Sequence, residues 1–180
     1  MSNLPADKAI KHTRYSHLRE RIVEHVFVGR ILQTLWSRDI FDVEVLRSEF
    51  DAHGYDIVLS RGPVVRHIQL KTSTAKRPPN VSVPLALADK PSGCVVWINV
   101  PESLEAERYS YFWFGGKPGK RLPRIQDCDV PRRATHNKKG ERPRRGMHRL
   151  VPYRRFKQLA FDQLIEKLFG PLRRSGRRSG

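Results

Sequence analysis

The segment YDIVLSRGPVVRHIQLKTS (residues 55–73) constrains the fold of this chain more than any other. Two β-prone runs flank Arg61-Gly62-Pro63, a turn sequence, so an antiparallel hairpin is the economical reading. Strand alternation puts His67, Gln69 and Lys71 on one face of the second strand, with Ile68 and Leu70 on the other. On the first strand Asp56 and Val58 share a face, while Ile57 and Leu59 point away. With the apolar side against a core, the hairpin brings the Asp56 carboxylate beside the Gln69 amide and the Lys71 ammonium.

The rest of the chain supplies what such a hairpin needs for cover. Residues 14–37 contain no proline, and Leu18, Ile22, Phe27, Ile31 and Leu35 recur at helical spacing, which predicts a long amphipathic helix. FDVEVL (41–46) alternates Phe41, Val43 and Val45 with polar residues and reads as a strand. VSVPLAL suits a strand or a short helix. GCVVWINV (93–100) is a continuous apolar run that suits a strand buried on both faces, paired through PESLEAER to a second strand, YSYFWFG (109–115). Trp97, Tyr111 and Trp113 therefore read as core. Between Lys117 and Arg149 the composition shifts to Pro, Gly, Lys and Arg, the mark of a long basic loop. A final amphipathic helix is predicted over about 152–169, with Phe156, Leu159, Leu164 and Leu168 on its apolar face and Gly170-Pro171 as its stop. The organisation is a single domain over 13–170, with a core at about 15–115 and flexible ends at 1–12 and 171–180.

Asp56, Gln69 and Lys71 suit phosphodiester hydrolysis. A hard cation such as Mg²⁺ or Mn²⁺ takes oxygen ligands from one or two carboxylates, and an adjacent lysine offsets developing negative charge. Gln69 offers only a neutral carbonyl oxygen. Glu24 is in line with Phe27, Ile31 and Leu35 on the apolar stripe of the first helix, where a carboxylate needs a reason. Metal ligation and a rim position paired with an arginine are both open. Glu20 reads as solvated, Glu49 and Asp51 as turn and cap residues, and His53 and His67 as hydrogen-bonded surface groups.

Taken together, Glu24, Gly54-Tyr55-Asp56 and Gln69-Leu70-Lys71 resemble the PD-(D/E)xK nuclease superfamily, in its Gln-bearing D…QxK form. The resemblance spans roughly residues 15–115. It implies an α/β, restriction-endonuclease-like αβββαβ core with a mixed central sheet flanked by helices. It also implies metal-dependent cleavage of DNA, with Asp56 and Glu24 as metal-binding acids, Gln69 at the position usually held by Glu or Asp, and Lys71 as the catalytic lysine. Pairing of two copies to cut both strands is a further implication. The alternative is a catalytically inactive nucleic-acid-binding protein that keeps the fold.

Charge points to the same class of partner. The net charge is +17, and residues 117–180 hold 20 Lys/Arg against 5 Asp/Glu. Clustered cations of this kind gain affinity for polyanions by releasing counterions from phosphates. Arg132, Arg133, Lys138, Lys139, Arg142, Arg144, Arg145 and Arg149 are the candidate phosphate contacts, extended by Arg154 and Arg155. DNA is the expected partner, with RNA open. No recognition-helix or zinc-finger signature is present, so sequence reading is not expected. The chain has two cysteines, Cys94 and Cys128, and the pair fits neither a disulfide framework nor a zinc-ligand cluster. With no apolar leader and no long apolar run, the reading is a cytoplasmic protein without a membrane partner.

Overall fold

In the computed structural model the described residues are 14–47, 54–75, 80–137 and 139–172. Glu49, Asp51, His53, Lys138 and the expected flexible ends 1–12 and 171–180, apart from Pro171 and Leu172, lie outside them.

The predicted first helix is present as α1 (Ser16–Trp36). Its buried face runs Val23, Phe27, Ile31 and Leu35, with Val28 alongside. Leu18 and Ile22, expected on that face, are exposed instead. The residues four apart from Val23 onward fix the phase, and the first turns run past the core. At the other end Asp39 takes a left-handed conformation (φ 57°). The Ile40 N–H then donates to the Leu35 carbonyl and the Asp39 N–H to that of Trp36, a paired closure that tucks Ile40 into the core.

The strands are β1 (Val43–Arg47), β2 (Ile57–Arg61), β3 (Val64–Ser73), β4 (Asn80–Pro84), β5 (Gly93–Asn99), β6 (Ser110–Gly115), β7 (His148–Pro152) and β8 (Lys157–Leu159). Between β4 and β5 lies the one-turn helix α2 (Leu85–Ala88), and the last helix of the described residues is α3 (Phe161–Phe169). Six strands form one mixed sheet in the order β1-β2-β3-β5-β6-β8, while β4 and β7 form a separate pair. β1, β2 and β3 are an antiparallel meander, β5 runs parallel to β3, and β6 and β8 are antiparallel additions. The fold is therefore α/β with a mixed central sheet.

Each face of that sheet has its own core. Ile57, Leu59, Ile68, Val96 and Ile98 pack under α1 and α3. Val95, Trp97, Phe112 and Phe114 pack under β4, β7 and α2. β5 is buried on both faces, as its unbroken apolar run requires. Among the described residues, no helix is long and apolar enough to cross a membrane.

The C-terminal third departs from expectation. The predicted helix over 152–169 begins only at Phe161. Residues 157–159 pair with Tyr111–Trp113 as an edge strand, which sends Phe156 and Leu159 into opposite cores. Spacing of three suits a helix and a turn-then-strand equally; pairing with β6 decides between them.

Candidate active site and nucleic-acid interface

Asp56 enters β2 from a turn that only glycine can make. Gly54 sits at φ +73°, and a Cβ there would collide with the Pro84 ring at the end of β4. The turn is thus pressed against the β4–α2 corner. Tyr55 packs edge-on against the His67 ring with centroids 4.9 Å apart, and His67 Nδ1 donates to the Pro91 carbonyl at 2.9 Å.

β2 pairs with β3 only as far as Ile57 and Ile68, whereas β3 continues to Ser73. The Leu70 N–H, just past the last pair, would lose its partner. The Asp56 side chain replaces the missing strand: Oδ2 accepts from the Leu70 N–H at 2.7 Å, and the Asp56 N–H donates to the Ile68 carbonyl at 2.9 Å. The carboxylate is therefore fixed at the backbone of the residue between Gln69 and Lys71.

Gln69 lies beside Val95, and Lys71 beside Trp97, on the face covered by β4 and β7. Ile68 and Leu70 turn toward α1, as alternation predicts. Lys71 is half-buried, whereas Gln69 is only 6% exposed, and its Oε1 has no donor among the described residues. A buried acceptor without a donor costs about 1–3 kcal/mol, a cost that a cation beside it would relieve. On that observation Asp56 and Gln69 fit a divalent cation.

Glu24 fits less well. It is 7% exposed, and its carboxylate is engaged by two guanidiniums, Arg47 Nε at 2.8 Å and Arg21 Nη1 at 3.0 Å. Arg47 is the strand partner of Ile57, so Glu24 reaches the same end of the sheet as Asp56. It does so from the α1 face, whereas alternation from Ile57 turns Asp56 to the other. Of the two readings open for Glu24, the arginine-paired rim position is the one observed. Among the described residues, no group of three His, Cys, Asp or Glu side chains gathers around a common point.

The basic segment expected to be a loose loop is a closed ribbon. Arg132 and Arg144 form an antiparallel bridge, flanked by Arg133 N–H to the Pro143 carbonyl and Arg145 N–H to that of Pro131, both 2.7 Å. At the tip, Asn137 Oδ1 accepts from the N–H groups of Lys139 and Glu141. The ribbon leads into β7, which pairs with β4 on the Gln69 face. Arg132, Arg133, Lys139, Arg142, Arg144 and Arg145 are exposed, and among the described residues none of them pairs with a carboxylate. Arg149 and Arg155 are tied back to the body: Arg149 Nε donates to the Gln126 carbonyl, and Arg155 Nη2 to that of Arg124. Arg154 and Arg155 lie on a 3-10 turn rather than on a final helix.

No protein-family model, curated protein or solved structure matches this chain.

Sequence reasoning passed over one buried charge on the strand that carries Gln69 and Lys71, Arg66. It is fully buried on β3, on the same face as Ile68. Nε donates to the Leu168 carbonyl at 2.8 Å, Nη1 to Gly116 and Nη2 to Lys167, so Arg66 caps the C-terminal end of α3. Its guanidinium also lies over the Trp113 ring. Desolvation pulls the Arg66 pKa down, and Arg66 is the main charge facing Cys94. The signal lies in the alternation itself: an arginine on the apolar side of a strand has to be buried and satisfied.

Proposed function

We propose that this protein is a metal-dependent endonuclease-like phosphodiester hydrolase acting on DNA, built on a restriction-endonuclease-like αβββαβ core. The order α1, β1–β2–β3 meander, crossover and parallel β5 supports that core, with α2 and β4 in the crossover. The observation that carries the reading is the Asp56 carboxylate anchored on the Leu70 N–H, between a glutamine with an orphaned buried oxygen and Lys71.

Asp56 and Gln69 would hold Mg²⁺ or Mn²⁺, which when bound supplies Lewis-acid polarisation of a phosphate and a more acidic water. Lys71, two residues along the same strand from Gln69, offsets the charge that develops on the phosphate oxygens as the P–O bond breaks. The Leu70 N–H holds Asp56 in place. The ribbon's arginines bind the DNA backbone and set its position without reading bases.

A second reading has an observation of its own. Glu24 is held by two arginines and Gln69 is uncharged, so among the described residues the site offers one carboxylate, which favours a nucleic-acid-binding protein that keeps the fold without cutting. Incubation with supercoiled plasmid, single-stranded DNA and RNA in Mg²⁺, Mn²⁺ or EDTA separates the two. The enzyme reading expects metal-dependent cleavage that Asp56→Asn and Lys71→Ala both abolish. Salt-sensitive binding with no cleavage in any metal would establish the second reading in its place.

A further inference from the structure

At the far edge of the sheet from β1 there is a cavity of about 1030 Å³ between the C-terminal end of α3 and residues 115–118. Its apolar lining includes Pro118, Pro123 and Pro171, the last two exposed, while the bordering rings of Trp113 and Phe114 are buried. Its rim is cationic: Lys117, Arg155, Lys157 and Lys167, against the carboxylate of Glu166. The Arg155 guanidinium carbon lies 5.0 Å from the Phe114 ring centroid, so one of these charges rests on an aromatic support.

We infer that this groove holds an unpaired segment of nucleic-acid strand. The inference rests on the nucleic-acid reading of the basic ribbon and adds a second contact of different chemistry. Three observations select the occupant. The volume stands at the upper end of what single small ligands fill, roughly 300–1,000 Å³. A cationic rim over an apolar lining with exposed proline rings matches a strand whose phosphates run along the edge while its bases turn inward. A duplex keeps its base faces stacked inside and has none to offer such a lining. The ribbon has the opposite character, with no Phe, Tyr or Trp between residues 116 and 150. Its exposed arginines can grip phosphates.

The two surfaces are also linked. Arg155, on the groove rim, donates to the Arg124 carbonyl and to the Cys128 sulfur, and Arg149, at the base of the ribbon, donates to the Gln126 carbonyl. Segment 124–128 thus joins groove and ribbon into one track, with its own Arg124 paired to Asp127. A nucleic acid lying along it would be paired at the ribbon and unpaired at the groove, as at a flap, fork or junction.

The test uses fluorescence anisotropy of the full chain with a labelled oligothymidine and a labelled duplex of equal length. Lys157→Glu with Lys167→Glu reverses two exposed rim charges, and Arg142→Gln with Arg144→Gln and Arg145→Gln neutralises the ribbon. The groove variant is expected to weaken oligothymidine binding roughly tenfold, the scale of leaving a few phosphates without a cation, and to change duplex binding less than about twofold. The ribbon variant should weaken the duplex more than the single strand. The inference is overturned if the groove variant leaves oligothymidine unaffected or weakens both ligands equally. It also falls if an abasic oligonucleotide binds as tightly as oligothymidine, or if polyglutamate competes as well as oligothymidine. If duplex binding depends on the ribbon while the groove variant is silent, this inference alone fails. If no nucleic acid binds at all, the functional reading fails with it.

Discussion

Asp56 has two roles, and they separate by substitution. Asp56→Ala removes the acceptor for the Leu70 N–H and should cost about 1–3 kcal/mol of stability besides any chemistry. Asp56→Asn keeps an acceptor and removes the charge. The Asn variant should melt close to the parent protein in a thermal scan yet fail to nick plasmid. A large drop in its melting temperature would mean the carboxylate is needed for folding rather than for a cation. Arg66 is the counter-case, a buried charge with no place in the chemistry. Arg66→Ala strands carbonyls of Leu168, Lys167 and Gly116 and leaves a void, so a loss of about 2–4 kcal/mol is expected in urea unfolding.

Burial pushes the Cys94 thiol up from its ordinary 9.0 to about 12. The unfolded chain therefore releases this proton near pH 9 and the folded chain only near 12. Unfolding is favoured by deprotonation, and stability should fall as pH rises through that window. Tyr111, also pushed up to about 12 by burial, adds to the loss above its ordinary 10.0. In native protein at about pH 8, below the thiol's ordinary range, a thiol reagent should modify Cys128, which is half-buried, and spare Cys94 until denaturant is added. Equal modification of both would show that the first core is open to solvent.

Among the elements, the hairpin is legible in the sequence because its turn and its period-2 alternation are local. So are α1 and the doubly buried β5. What is not legible depends on distant partners. β7 is a strand because β4 lies across from it, and β8 because β6 does. The phase of α1 is ambiguous at Leu18 and Ile22, because apolar residues there fit two overlapping stripes and only the position of the sheet chooses between them. The arginine partners of Glu24 are equally hidden, since Arg47 arrives from β1. In the ribbon, proline and glycine suggest a loose loop, and the Arg132–Arg144 bridge closes it. That rigidity bears on binding. Preformed cations give up little ordering entropy when they meet a phosphate backbone. Neutralising Arg142, Arg144 and Arg145 should flatten the slope of log affinity against log salt by up to about 0.9 for each phosphate no longer neutralised. An unchanged slope would place the DNA on another surface.

For the whole molecule, charge and chemistry lie on related surfaces. The ribbon leads into β7, and the β4–β7 pair covers the sheet face that carries Gln69 and Lys71. DNA bound along the ribbon, as proposed, would lie on the side of the sheet that carries Lys71, while α1 and α3 pack on the other. The central claim is that a divalent cation sits against Asp56 and Gln69. It is tested most directly without DNA, by titrating Mn²⁺ into the full chain and following the decline of the free-ion paramagnetic resonance signal. The parent protein should bind Mn²⁺, Gln69→Glu should bind it more tightly by restoring a second carboxylate, and Asp56→Asn should lose the site. Mn²⁺ binding that is unchanged in Asp56→Asn would contradict this account of the hairpin.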